Sequence, residues 1–226
     1  MNTNTYLEAR SFLESIFSRH FKDHDGYLEV RLIGQGASSK FYRRAEVTEG
    51  DWAEIVELNK THHAFFGVNP RPLSKGKKQG DILDIVAIWV DVDGKDFDGG
   101  KEEALQRVRA FPIAPSIVVD SGHGYHVYWV LSEPIVGLAG EQRQGFKQIL
   151  SGVINAIGGD RSKVNLDALL RLPGTLNMKD SPPIECRIGG RADLAYRLED
   201  FARFKDVDYV EPKAATGELP AFGTRT

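Results

Sequence analysis

The run Ile88-Trp89-Val90-Asp91-Val92-Asp93-Gly94 decides how this chain is read. It is apolar up to two carboxylates spaced two apart, and a glycine follows them. In a β-strand successive side chains alternate between faces, so Asp91 and Asp93 share one face while Val90 and Val92 enter the core on the other. Like charges side by side repel, and a divalent cation between them relieves the repulsion. Mg²⁺ is usually held by one or two carboxylates together with substrate phosphates. An isolated pair of this kind also suits a strand that runs into an acidic, solvated turn, so the rest of the chain has to discriminate.

With 226 residues the chain can form one large domain or two small ones with a real core. Its 41% hydrophobic and 27% charged residues are those of an ordinary globular protein. No apolar run approaches the ~20 residues of a membrane span, and the polar start is no secretory signal, so a cytoplasmic protein with no membrane partner is expected. Cys186 is the sole cysteine, which excludes an internal disulfide and a cysteine-based zinc site. A net charge of -3 argues against coating nucleic acid by bulk electrostatics. A local basic groove stays open, because Arg and Lys cluster at Arg43-Arg44, from Lys75 to Lys78 and from Arg161 to Lys179.

Tyr6, Leu7, Phe12, Leu13, Ile16, Phe17 and Phe21 recur at helical spacing and predict a helix over 5–22. Strands are predicted over 27–33 and 40–45, joined through Gly34-Gln35-Gly36. Asp51 is expected to cap a helix to about Lys60. A short buried strand follows from His63, ending in Asn69-Pro70-Arg71. The polar segment 74–80 is either a solvated hairpin tip or a lid or phosphate clamp that brings Lys75, Lys77 and Lys78 to nucleic acid. Helices are expected over 101–111, 137–157 and 198–204, and short strands over 184–188 and 195–198. From Val207 the composition turns to Pro, Gly, Ala and Thr without periodicity, as in a linker or tail.

Two further clusters carry chemistry. Ser121-Gly122-His123-Gly124-Tyr125-His126 forms a tight turn between two β-rich runs, 116–121 and 125–131. Its glycines let the backbone approach a ligand, and their N–H groups with the Ser121 hydroxyl suit phosphate oxygens. His126 starts the return strand beside that turn, whereas His123 fits an ordinary exposed turn residue. Later, Asp167 precedes Arg171 by four residues, a spacing that also suits a helical ion pair. Pro173-Gly174 then forces a turn, and Arg171, Asn177 and Lys179 set a planar fork, an amide and a point charge near one another. That combination suits a polyphosphate with its metal.

A strand ending in Asp-X-Asp, then Ser-Gly-X-Gly-X-His-X-Tyr-Trp, then Asp-X-X-X-Arg-X-Pro-Gly-Thr-X-Asn-X-Lys resembles the three motifs of the archaeo-eukaryotic primase superfamily. Within it the likeness is to primase-polymerases of plasmids, phages and other mobile elements, including CRISPR-associated ones, over residues 60–190. The resemblance implies an α/β (α+β) fold: an RRM-like antiparallel catalytic sheet backed by helices, with an N-terminal α/β subdomain. The expected division is a catalytic domain over 1–206, with a subdomain over 1–60 and a catalytic module over 61–206, then a tail over 207–226.

The same resemblance implies roles. Asp91, Asp93 and Asp167 would bind Mg²⁺ or Mn²⁺. Ser121, Gly122, Gly124 and His126 would form the triphosphate-binding turn, with Arg171, Asn177 and Lys179 as further nucleotide contacts. Asn69 and Arg71 would be a polar pair facing the cleft. Single-stranded DNA would be the template and NTPs or dNTPs the substrates, with a helicase or C-terminal helical domain as a further partner. Two rivals stand beside this reading. A replication-initiator nuclease needs two histidines one residue apart, whereas His62-His63 are adjacent and His123 and His126 are three apart. A non-catalytic single-strand-binding module would stack bases on Tyr128 and Trp129 and leave the three acids without purpose.

Overall fold

A computed structural model describes residues 3–72 and 78–211. Lys75 and Lys77 lie outside the described residues, as does the chain beyond Glu211. Helix α1 (Thr3–Asp23) runs into the hairpin β1 (Tyr27–Ile33) and β2 (Ala37–Arg43), then α2 (Glu49–Asn59) and β3 (His63–Gly67). Strand β4 (Ile85–Asp93) carries the acids. It leads to α3 (Gly100–Ala110), β5 (Ile117–Asp120), β6 (Gly124–Ile135) and α4 (Gly140–Ile157). Short strands β7 (Leu169–Arg171) and β8 (Thr175–Asn177) and the longer β9 (Ile184–Arg191) follow, then a 3₁₀ helix over Leu198–Phe204.

The strands form two sheets, ordered β2-β1-β3-β7 and β4-β6-β5-β9-β8, and every strand pairing within them is antiparallel. The mixed fold with antiparallel sheets backed by helices is the one expected. Strands β3 and β7 lie beyond residue 60 and complete the first sheet, so the two sheets are interleaved in sequence.

Helix α1 is buried because its apolar positions recur on one face, and Phe12 shows what that face meets. Its ring packs edge-on against Phe66 of β3 at 5.1 Å and against Tyr128 of β6 at 5.5 Å. One side chain thus touches both sheets, and burying a ring of this size contributes about 1.5–3 kcal/mol. A polar link runs parallel to it. Fully buried Glu29 of β1 accepts from Arg71 Nε at 2.9 Å, from Ser39 Oγ at 2.8 Å and from Arg31 Nε at 2.8 Å. Buried Asn69 donates to the Leu166 carbonyl at 3.0 Å and accepts from the Val86 amide at 3.4 Å.

Several local expectations shift. The cap of α2 is Thr48, with Asp51 three residues into the capping box, because both side chains then satisfy orphan amides reciprocally. The expected strand over 195–198 reduces to one bridge, Leu131 to Tyr196. Asp167 and Arg171 share no helix: Asp167 sits in a turn and Arg171 in β7. Past the 3₁₀ helix the chain lies along α4. Asp206 accepts from Ser151 Oγ at 2.8 Å and Asn155 Nδ2 at 3.2 Å, and Lys147 Nζ lies 2.7 Å from Glu211.

Candidate active site

The two acids emerge where β4 and β6 begin to part from the core. Asp91 faces His126 across the ladder and Asp93 faces Gly124, while Val90 and Val92 are fully buried on the opposite face. Alternation along β4 therefore does what the sequence implies. Gly124 is required here, since a Cβ on it would collide with the Val92 carbonyl oxygen.

Each carboxylate is met by a cation of the protein. Lys95 Nζ lies 2.8 Å from Asp93 Oδ2, and Lys163 Nζ lies 3.8 Å from Asp91 Oδ2. Partial burial raises the Asp93 pKa, but the hydrogen bonds and charge of Lys95 outweigh it and hold the carboxyl below its usual value. His126 Nε2 approaches Asp91 Oδ1 at 3.6 Å, and its Nδ1 is buried without a partner. Burial pushes this imidazole down to about 4, with Asp91 resisting and Arg171 and Lys163 adding to the drop. His126 is therefore neutral at physiological pH.

The turn after β5 is held from both sides. Gly122 adopts φ of 99°, a left-handed conformation that glycine tolerates. Its amide donates to Asp120 Oδ1 at 2.9 Å, and Lys101 Nζ bridges Asp120 Oδ1 at 2.6 Å and the Gly122 carbonyl at 2.9 Å. Asn177 ties this turn to β8, donating to the Ser121 carbonyl at 2.8 Å and accepting from the Lys179 amide at 3.1 Å.

The opposite wall comes from the first sheet. Arg171 of β7 pairs with Phe65 of β3 in register, and its guanidinium lies 5.1 Å above the Phe65 ring. Arg171 Nη1 stands 3.2 Å from His63 Nδ1, and burial, with Arg171 and Lys179 nearby, lowers the His63 pKa. Between the walls is a cleft of about 170 Å³, lined among others by Asp91, Asp93, Ser121, Gly124, His126, Lys163, Arg171, Asn177 and Lys179.

Not every expected residue arrives there. Asn69 and Arg71 are fully buried and bonded to protein partners, so they do not face the cleft. Asp167 is not among the lining residues; its carbonyl accepts from Arg71 Nη2 at 3.3 Å in the turn before β7. Lys78 is exposed and donates its amide to Asp81. His63, Phe65 and Lys163 enter the site without having been singled out. The alternation of β3 was the available signal for the first two, and Lys163 lay within the basic cluster 161–179.

Among the described residues no three of His, Cys, Asp and Glu stand close enough together to hold a metal ion. The Asp91–Asp93 pair still fits a divalent ion whose remaining ligands are phosphate oxygens, and the two ammonium groups drawn to it show that it attracts cations.

Comparison with known proteins places the fold. The cyanophage S-2L primase-polymerase AEP domain superposes with a TM-score of 0.64 over 87% of this chain and 96% of that one, at 15% identity. The catalytic domain of primase RepB′, solved in complex with initiator DNA, superposes with a TM-score of 0.55 over 87% and 92%, at 14% identity. A replication protein of Clostridium perfringens is 22% identical over 180 residues, 76% of this chain and 41% of that protein. The chain thus spans about two fifths of the length of the curated relative it matches. No family model matches the chain. The fold is that of the AEP domain, in the form found in primases and primase-polymerases.

Proposed function

We propose that this chain is a template-directed nucleotidyltransferase that makes or extends primers on single-stranded DNA. The observation that carries the reading is the opposition of Asp91 and Asp93 to Arg171 and Lys179 across one cleft closed by the Ser121–Gly124 turn. Mg²⁺ or Mn²⁺, when bound, would polarise the phosphoryl group and lower the pKa of the attacking hydroxyl.

The remaining work falls to the chain's own residues. Asp91 and Asp93 hold the charge that fixes the ion, with His126 opposite Asp91 in the ladder. Arg171, braced by Phe65 and His63, presents a preorganised fork to phosphate oxygens. Lys179 adds a point charge at the rim, and the Ser121 hydroxyl offers an uncharged donor, the Ser121 and Gly122 amides being bonded within the turn. Catalysis of this kind is positioning and charge stabilisation rather than covalent chemistry by the protein. NTPs or dNTPs are the substrates, and a helicase or helical domain in the same or a separate chain would supply open template. Asn69 and Arg71 are assigned to the scaffold beneath the cleft. The binding-module rival is disfavoured by Tyr128 and Trp129, which are fully buried and offer no face to a base.

The test is incubation with single-stranded DNA, labelled nucleotides and Mg²⁺ or Mn²⁺, with and without an annealed primer, beside an Asp91→Ala, Asp93→Ala control. Template-dependent product that disappears in the control supports the reading. Absence of product under all conditions from a folded, DNA-binding protein overturns it.

A further inference from the structure

Lys163 belongs to none of the three motifs, yet its backbone is among the best anchored around the cleft. The Trp89 indole, itself fully buried, donates to the Lys163 carbonyl at 3.0 Å. Asp160 opens the 3₁₀ turn Arg161–Val164 by accepting from Ser162 N at 2.9 Å and Ser162 Oγ at 2.8 Å. The Asp160 amide donates in turn to the Asp91 carbonyl at 2.8 Å. The turn is thereby stitched to the strand that carries the acids.

The side chain on this fixed base is loosely held. Its ammonium lies 3.8 Å from Asp91 Oδ2, an ion pair longer than the ~2.7–3.2 Å of a hydrogen bond. Lys95, by contrast, grips Asp93 at 2.8 Å from a stem that is 72% exposed, as a surface counter-ion does. The Lys163 side chain is 27% exposed and lines the cleft together with Arg171 and Lys179. A triphosphate brings more negative charge than those two cations offset. A lysine has a flexible stem and three rotatable donors, so it can turn from a carboxylate to a phosphate without moving its backbone.

We propose that Lys163 is a ligand of the substrate triphosphate and that, in the nucleotide-free protein, it stands against Asp91 and competes there with the metal ion. The inference rests on the nucleotidyltransferase reading of the cleft. When nucleotide and metal arrive together, the ammonium passes to a phosphate and Asp91 passes to the ion. Removing Lys163 therefore has effects of opposite sign on two ligands, a signature that general damage to the site does not produce.

The experiment measures Lys163→Met, Lys163→Gln and Lys163→Arg beside wild type, each checked for an unchanged circular dichroism spectrum. Mn²⁺ alone is titrated onto nucleotide-free protein. Binding of dATP and dAMP is measured separately in EDTA. In Lys163→Met and Lys163→Gln, Mn²⁺ is expected to bind several-fold more tightly, dATP at least ten-fold more weakly and dAMP unchanged, with Lys163→Arg restoring dATP. Tighter Mn²⁺ with unchanged dATP overturns the proposal and leaves Lys163 a counter-ion only. Equal losses for dATP and dAMP also overturn it, as a structural effect. If wild type binds dATP yet makes no product on template, the enzymatic reading fails while the variants still decide the role of Lys163. If wild type binds no dATP at all, both fail.

Discussion

Asp91 of β4 and His126 of β6 stand directly opposite each other in the ladder, with His126 Nε2 3.6 Å from Asp91 Oδ1. A carboxylate beside an imidazole ordinarily favours the imidazolium, but here burial wins and His126 stays neutral down to about pH 4. Burial of the imidazole, rather than the acid it faces across the ladder, thus sets its protonation state.

This has a consequence for stability against pH. Unfolded, the imidazole takes up its proton near 6.5, whereas folded it resists until about 4. Above 6.5 both states are neutral and the group has no effect; between 6.5 and 4 the unfolded state binds the extra proton. Stability is therefore expected to fall across that window as pH falls, by on the order of 3 kcal/mol from this group. Urea unfolding of wild type and His126→Asn at several pH values checks it: the difference between the two curves should slope only within the window.

The Glu29–Arg71 pair is expected to matter to folding rather than to nucleotide affinity. Arg71→Met leaves a fully buried carboxylate with only Arg31 and Ser39 as partners and should destabilise by about 1.5–3 kcal/mol. Adding Glu29→Leu should recover much of that loss. Denaturant midpoints of the single and double variants measure both effects, and a dATP affinity unchanged in the double variant would complete the case.

Asn177 holds two parts of the cleft with one amide. Asn177→Ala releases the Ser121 carbonyl and the Lys179 amide together. The expected outcome is a stability loss of about 1–3 kcal/mol and weaker dATP binding, with dAMP affected less. Titrating both nucleotides onto the variant is the check.

Gly124→Ala tests how tightly β4 and β6 must approach at Asp93. The added methyl runs into the β4 backbone at Val92 and Asp93, so the strands have to separate, at a cost of about 1–3 kcal/mol. Thermal unfolding measures the cost. Primer extension should fall further than stability alone explains, because Asp93 sits opposite the insertion.

The acid-bearing strand was legible because period-two alternation in a buried run admits one placement of Asp91 and Asp93. The turn after β5 is legible because Gly122 and Gly124 are residue types that a left-handed backbone and a close strand approach demand. Strands β7 and β8 are not, since three residues are too few to show a period. Asn69 and Arg71 look from sequence like cleft residues because burial of a polar side chain depends on a partner far along the chain, and for Arg71 that partner is Glu29. The stacking role open to Tyr128 and Trp129 vanishes for a similar reason: Phe12 and Phe111 already pack against them. Thr48 displaced Asp51 as the helix cap because either residue type suits the position and the hydrogen-bond geometry alone separates them.

The pairing of Phe65 with Arg171 has a bearing on how the protein comes into being. On the ribosome, β3 is made early and its outer edge waits for β7, so the basic wall of the cleft cannot exist until Arg171 has emerged. Contacts that span so much chain close slowly, and an unpaired edge in the meantime invites partners of other kinds. A truncated product ending before β7 would carry both aspartates and still lack the wall they face.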